Sequence, residues 1–357
     1  MGKEVKVVAI HLPQFHPFPE NDEWWGKGFT EWSNVTKAKP LFKNHIQPKL
    51  STDMGYYDLR LSNTHDEQAQ LAKSYGIDAF CYYHYWFSGK KLMHRAIDAK
   101  LKSENKLPFM FCWANETWSR RWLGEEKEVL IKQEYSEEDH ENHAKYLVSI
   151  FKDNRYYKIN KRPFFLIYRP NDIPNIEYFF DCLNIECENE NIEKPFLVAS
   201  NSHGVEKKEL FDARLNFEPQ LGLLKNAFLD GFIWKRLFNN FFKFGVFSGR
   251  YKLYDYNEVK DIMMNRILDT NTIPCVFVGW DNTPRRNKNG IVILNQNVEK
   301  FKDSLIDAKS KALSCKLNEQ IVFINAWNEW AEGNFLEPSI ANKNDYLKVV
   351  KEVFGNE

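Results

Sequence analysis

The sequence predicts an α/β fold: a single (β/α)8 barrel of TIM type with long loops after strands 1 and 6. Three observations carry this. Short β-branched and aromatic runs recur along the chain with helix-like segments between them, the alternation that builds parallel sheets. Several of the runs are apolar throughout, as strands covered on both faces are. Polar and aromatic residues also gather where the runs end, the rim on which barrel enzymes carry their chemistry.

Eight strands are predicted: Val5 to His11, Gly76 to Tyr85, Leu107 to Trp113, Pro163 to Tyr168, Pro195 to Ser200, Ala213 to Phe217, Pro274 to Trp280, and Gln320 to Trp327. Helical spacing occupies His65 to Ser74, Lys91 to Glu104, Glu137 to Lys152, Asn175 to Cys187, Tyr256 to Leu268 and Asn297 to Leu313, and Asn344 to Phe354 closes the chain. Between the fifth and sixth strands there is room for no more than a turn of helix. A doubly wound sheet is the alternative, but it needs a phosphate-binding Gly-rich turn after the first strand, and none is present. All of residues 1–357 are expected to form one catalytic barrel domain.

Two excursions interrupt the repeat. The first, Pro17 to Arg60, contains Trp24-Trp25-Gly26-Lys27-Gly28-Phe29-Thr30-Glu31-Trp32 and reads as a wall of the cleft or a packing loop. The second, Pro219 to Asp255, sets Trp234, Leu237, Phe238, Phe241 and Phe242 at helical spacing among six basic residues, against Asp230 and Asp255. A helix packed on the barrel is the plain reading. The others are a peripheral membrane contact or one with a lipid-linked glycan through 219–255, and a lid over an acceptor site.

Composition narrows the function. Lys plus Arg and Asp plus Glu balance at 49 each, so no basic field points to nucleic acid. The aromatic residues, 11 Trp, 16 Tyr and 28 Phe, exceed what a core of this size usually takes, which favours flat hydroxylated ligands such as sugars. No apolar leader or membrane-spanning run is visible, so a cytoplasmic location is expected, with association at the inner membrane surface as a variant. The six cysteines lack metal-ligand spacing and read as free thiols in a reducing compartment. No metal and no cofactor is expected.

The strand ends, the fifth apart, offer candidates for contacting an oligosaccharide or polysaccharide. Strand one gives His11, Gln14 and His16, with Trp32 from the loop beyond; strand two gives His84, Tyr85 and Trp86; strand three gives Trp113, Asn115 and Glu116. Tyr168, Glu218, Trp280 and Asp281 follow from strands four, six and seven, and Trp327 and Asn328 from strand eight.

The densest chemistry lies in Asn325-Ala326-Trp327-Asn328-Glu329-Trp330-Ala331-Glu332-Gly333-Asn334. Glu329 and Glu332 are the first candidates for catalysis. If a helix begins there, i and i+3 side chains share a face, and neighbouring carboxylates split their pKa values so that one holds a proton while the other is ionised. A second pairing joins Glu329 to Glu116 across the mouth, as acid/base and nucleophile sit in retaining glycosidases.

Asn328-Glu329-Trp330-Ala331-Glu332-Gly333, with His11-Leu12-Pro13-Gln14-Phe15-His16, Gly28-Phe29-Thr30-Glu31-Trp32 and Trp113-Ala114-Asn115-Glu116, resembles the WbsX family, over about residues 5 to 350. That family is similar to glycoside hydrolase family 99, the endo-mannosidase and endo-mannanase group. The resemblance implies a (β/α)8 barrel and metal-independent, retaining hydrolysis of an α-linked glycan. It also implies that Glu329 is the base on the substrate 2-hydroxyl and Glu332 the general acid, then base. WbsX proteins are associated with bacterial surface polysaccharide clusters and have been labelled glycosyltransferases of O-antigen or capsule biosynthesis, which is the alternative activity. The sequence shows no sugar-nucleotide domain or convincing Asp-x-Asp motif. A catalytically silent, lectin-like barrel is a third reading.

Overall fold

The computed structural model describes residues 4–120, 125–222, 233–244 and 251–355. Eight parallel strands close on themselves: β1 Lys6–His11, β2 Ala79–Phe87, β3 Phe109–Trp113, β4 Arg162–Ile167, β5 Phe196–Ser200, β6 Ala213–Asn216, β7 Thr272–Phe277 and β8 Ile321–Asn325. Each pairs in parallel with its neighbour in sequence, and β1 also pairs with β8 through Lys6–Ile321 to Ala9–Ile324, which shuts the barrel. All eight strands fall where the sequence places them, each within a few residues at its ends.

The helices are α1 Pro19–Trp25, α2 Glu31–Lys37, α3 Ser62–Ser74, α4 His94–Lys102, α5 Glu137–Phe151, α6 Ile176–Asn189, α7 Ile233–Phe244, α8 Tyr256–Met264, α9 Thr283–Arg286, α10 Val298–Leu313 and α11 Asp345–Phe354. α5 begins where Ser136 caps it, its hydroxyl accepting from Asp139 N, with Glu137, Glu138 and Asp139 in the first turn favoured by the helix dipole. Only the 3-10 turn Lys208–Leu210 lies between β5 and β6, as the short connection requires.

The long loop after β1 is ordered by two short helices, α1 and α2, that periodicity had not marked because each is seven residues long. The excursion after β6 carries α7 and then Lys252–Asp255, which joins Ile291–Leu294 and Trp280–Asp281 in a three-stranded side sheet. A hairpin of Trp118–Arg120 with Glu125–Ile131 rises after β3, also unforeseen.

Alternation along the strands decides what each residue can do. In β2, Phe80, Tyr82, His84 and Trp86 point outward against α3 and α5: Tyr82 lies beside His65, and Trp86 stacks on His143 at 4.7 Å. Cys81, Tyr83 and Tyr85 point into the barrel, where Cys81, Cys112 and Cys275 gather as buried free thiols. Phe164 and Phe323 stack across the interior at 5.9 Å, so the barrel is a packed core rather than a channel.

Candidate active site

The short helix α9 follows β7 and is tied down from its first residue. Asp281 Oδ1 accepts from Thr283 N and Thr283 Oγ1, at 3.1 and 2.6 Å, while its Oδ2 accepts from His45 Nε2 and Gln47 Nε2 at 2.9 and 2.6 Å. Burial opposes the charge on Asp281. The bond from His45 and the nearby Lys49 ammonium overcome it and hold the carboxyl down at about 2. An ionised, fully bonded Asp281 thus fixes the turn that presents Arg285.

Arg285 is the centre of the site. Its Nε donates to Glu31 Oε1 at 2.7 Å, its NH2 lies 3.0 Å from Glu329 Oε2, and its NH1 lies 2.7 Å from Glu332 Oε1. The three carboxylates come from the loop after β1 and the segment after β8, so one guanidinium locks three connections together. Glu31 is fully buried, and Glu332, at 19% side-chain exposure, is the most open of the three.

The acids are adjacent for a local reason. Asn328–Glu329 pairs with Asn334–Phe335 in a tight hairpin, and Trp330–Glu332 forms a single 3-10 turn. The expected helix does not form, but in a 3-10 turn residues i and i+3 eclipse, so Glu329 and Glu332 still share a face. Gly333 closes the turn at φ +61°, a conformation that side-chain-bearing residues rarely adopt, and a Cβ there would also crowd Asp281 Cβ and N at 3.1 and 3.2 Å. Beneath, Trp330 stacks on Phe335 at 3.7 Å and donates to Glu337 Oε2 at 2.6 Å. Glu337 also accepts from Tyr57 OH and Gln68 Nε2; burial nonetheless pushes it up to about 7.

Three acids facing one cation cannot all ionise cheaply out of water. Burial pushes Glu329 up to about 8, opposed by Arg285 and reinforced by the charges of Glu332 and Glu31. Burial raises Glu332 as well, again against Arg285. The Glu329–Glu332 pair therefore keeps a proton at neutral pH, shared within the pair.

Around this cluster stand Tyr83 and Tyr85, whose hydroxyls are raised by burial and then by the charge of Glu329. Glu116 and Tyr168 lie beyond them, Glu116 accepting from Arg169 Nε at 2.6 Å and acting on both Tyr85 and Tyr168. Of the residues singled out from sequence, Glu329, Glu332, Tyr85, Glu116 and Tyr168 are brought together.

The others are placed elsewhere. His84 bonds His143 at 2.9 Å and Trp86 bonds Asp139 at 2.8 Å, both facing α5; Trp113 packs on His143 and Phe179. His11 bonds Gln68 at 3.0 Å, and burial drives its imidazole down to about 3. These four lie on the outward side of their strands, because side chains alternate and a strand end delivers only every second residue to the mouth. His16 is fully buried, and Gln14 holds Asn21 at 3.4 Å. Trp32 donates to Tyr57 O at 3.0 Å, Trp327 packs on Phe80, and Trp280 is buried with Phe277 and Ile293. Asn115 clasps the Arg169 backbone through both amide atoms, and Asn328 clasps Leu12 in the same way. Glu218 pairs with Arg266 at 2.6 Å; burial raises it to about 7. Sequence reasoning missed Arg285 and Tyr83. The sequence assigns Glu31 no role, and the signal for Arg285 is that Thr283-Pro284-Arg285-Arg286 directly follows a strand end.

Among the described residues no group of three His, Cys, Asp or Glu is arranged to hold a metal ion, and no helix is long and apolar enough to cross a membrane.

A family model described as Glycosyltransferase WbsX matches residues 7–350. Proteins of Xanthomonas campestris pv. campestris described as uncharacterized protein WxcX, from two strains, are 38% identical over 339 residues, 93% of this chain. The chain spans about half, 47%, of their length. A solved structure described as a glycoside hydrolase-like protein superposes with a TM-score of 0.61 at 11% identity, covering 100% of this chain and 95% of the other. The GH99 endo-alpha-mannosidase of Bacteroides thetaiotaomicron superposes with a TM-score of 0.54 at 14% identity, covering 98% and 95%. At these identities the likeness is one of fold.

Proposed function

The chain belongs to the WbsX family, and from that membership and the geometry at Arg285 we propose that it is a glycoside hydrolase of an α-linked glycan, such as a bacterial surface polysaccharide. The observation that carries this reading is the pair of neighbouring acids on one guanidinium at the barrel mouth, Glu329 at 3.0 Å and the partly exposed Glu332 at 2.7 Å, in surroundings that raise both carboxyls by burial. Glycoside cleavage needs one acid with a proton and one without it.

In the proposed reaction, Glu329 accepts the proton of the substrate 2-hydroxyl as O2 attacks C1. The C1–O glycosidic bond breaks, and Glu332 gives its proton to the leaving oxygen. Water then opens the 1,2-anhydro sugar at C1, losing a proton to Glu332, while O2 recovers its proton from Glu329. Two inversions at C1 give net retention. Side-by-side acids suit this chemistry better than facing ones, because O2 and the leaving oxygen sit on adjacent ring positions. These roles require that, with substrate bound, Glu329 is ionised and the pair's proton sits on Glu332, beside the leaving oxygen. The α-linkage and the roles rest on the resemblance to family 99. Tyr83, Tyr85, Glu116 and Tyr168 are the proposed walls of the sugar site, with Asp281 and Asn328 as positioning residues.

The family's description favours a second reading, glycosyl transfer in polysaccharide assembly. One experiment separates the two. The chain is incubated with a panel of α-linked oligosaccharides and bacterial polysaccharides, products are weighed by mass spectrometry, and thermal shift is measured with sugar nucleotides. Shortened glycans without added donor support hydrolysis; stabilisation by a sugar nucleotide with no cleavage of any glycan overturns it.

A further inference from the structure

The helix α7, Ile233–Phe244, has two distinct faces. Asn240 is 2% exposed and donates to Tyr251 O at 3.0 Å, and Phe244 packs on Leu253 and Val292 of the side sheet. That face fastens the helix to the barrel. The other leaves Trp234 at 83%, Phe238 at 64%, Phe241 at 49% and Phe242 at 67% exposure. At about 100° per residue, positions 234, 238, 241 and 242 share one arc, and positions 237, 240 and 244 another. Positions 235, 236 and 243, occupied by Lys, Arg and Lys, fall between the two.

A single exposed aromatic is ordinary; four on one helical arc are not. The charge around them decides what covers them. From residue 231 to 254 the sequence has five basic residues and no acidic one, in a chain whose net charge is zero. A second copy would bring like charges together at the same face. An anionic surface is complementary, and Trp and Phe beside Lys and Arg are the composition of a helix lying in a lipid interface. With 12 residues α7 is too short to span a bilayer.

Its position gives the contact a purpose. α7 lies in the connection leaving the C-terminal end of β6, the rim that carries the acids. Tyr251, which anchors it, donates to Leu41 O at 2.8 Å in the long loop after β1. We propose that α7 docks the barrel mouth on an anionic phospholipid bilayer, laying Trp234, Phe238, Phe241 and Phe242 into the headgroup boundary. The site then faces glycans held at a membrane surface. This docking stands on α7 alone and is independent of the roles given to Glu329 and Glu332.

The test is co-sedimentation of the full chain with vesicles of phosphatidylcholine containing phosphatidylglycerol, and with phosphatidylcholine alone. The chain is expected to sediment with the first and much less with the second. The variant W234A/F238A/F242A should lose roughly tenfold or more of the partitioning at an unchanged melting temperature, because those side chains make little contact with the fold. K235E/R236E/K243E should abolish the preference for phosphatidylglycerol. Failure of the unaltered chain to bind phosphatidylglycerol vesicles overturns the proposal, as does binding by the triple aromatic variant equal to its parent. A chain that sediments as a dimer, and as a monomer once the aromatics are removed, assigns the face to a second copy and also overturns it.

Discussion

At Arg285 three carboxylates compete for one positive charge inside the protein, and the competition has measurable consequences. Replacing it by Met leaves Glu31, Glu329 and Glu332 buried without their cation. Breaking such a group costs about 3–5 kcal/mol. The loss should grow with pH, because at low pH the orphaned acids simply protonate, whereas at pH 8 folding must take up protons against the solution. Denaturation of Arg285→Met from pH 5 to 8 checks this, and a pH-independent loss would show that the guanidinium acts by packing alone. For Glu329 the sign follows from its raised pKa. A carboxyl pushed from 4.5 to about 8 contributes stability fully present below 4.5 and lost as pH rises through 8. Over that range the unaltered chain should lose at most about 1.4 kcal/mol per pH unit from this proton. Glu329→Gln, which keeps the neutral shape, should flatten the slope. Activity should fall above pH 8 in the unaltered chain, as the pair gives up the proton its acid needs.

At the scale of elements, β2 shows what separates the site from the core. Tyr83 and Tyr85 turn inward beside Glu329, while His84 and Trp86 turn outward to His143 and Asp139. Tyr85→Phe, which removes only the hydroxyl on the side of Glu329 and keeps the ring packed, should therefore impair turnover with little change in melting temperature. Trp113→Ala, a fully buried residue on α5 and α6, should cost about 3–5 kcal/mol and leave the kcat of the remaining folded protein intact. Asn328→Ala should cost about 1–3 kcal/mol by stranding the Leu12 backbone N–H and C=O it satisfies. The strands were readable in sequence because burial on both faces makes them continuous apolar runs, and α5 and α10 because their length repeats the helical period several times. The rim was only half readable. A residue's place at a strand end is visible in the sequence, but its side of the sheet depends on where the strand begins, so His84, Trp86 and Trp113 were assigned to the mouth beside Tyr85. The Glu329–Glu332 pair was legible because a three-residue spacing works in a 3-10 turn as in a helix. Arg285 was not, since it meets acids 254 and 44 residues away and no local pattern records such a meeting.

For the molecule as a whole, closure of β1 on β8 brings the two ends of the chain's chemistry together. The loop after β1 supplies Glu31, the segment after β8 supplies Glu329 and Glu332, and α9 supplies the cation between them. The barrel is shared with glycoside hydrolases at identities that speak for fold alone, so the proposed activity rests on this cluster. Its most direct test is Glu332→Gln, assayed on whichever α-linked glycan the unaltered chain cleaves and titrated with the same glycan by calorimetry. The variant should lose turnover by roughly a hundredfold or more while its glycan affinity stays close to that of the parent. Full turnover in Glu332→Gln would contradict the account.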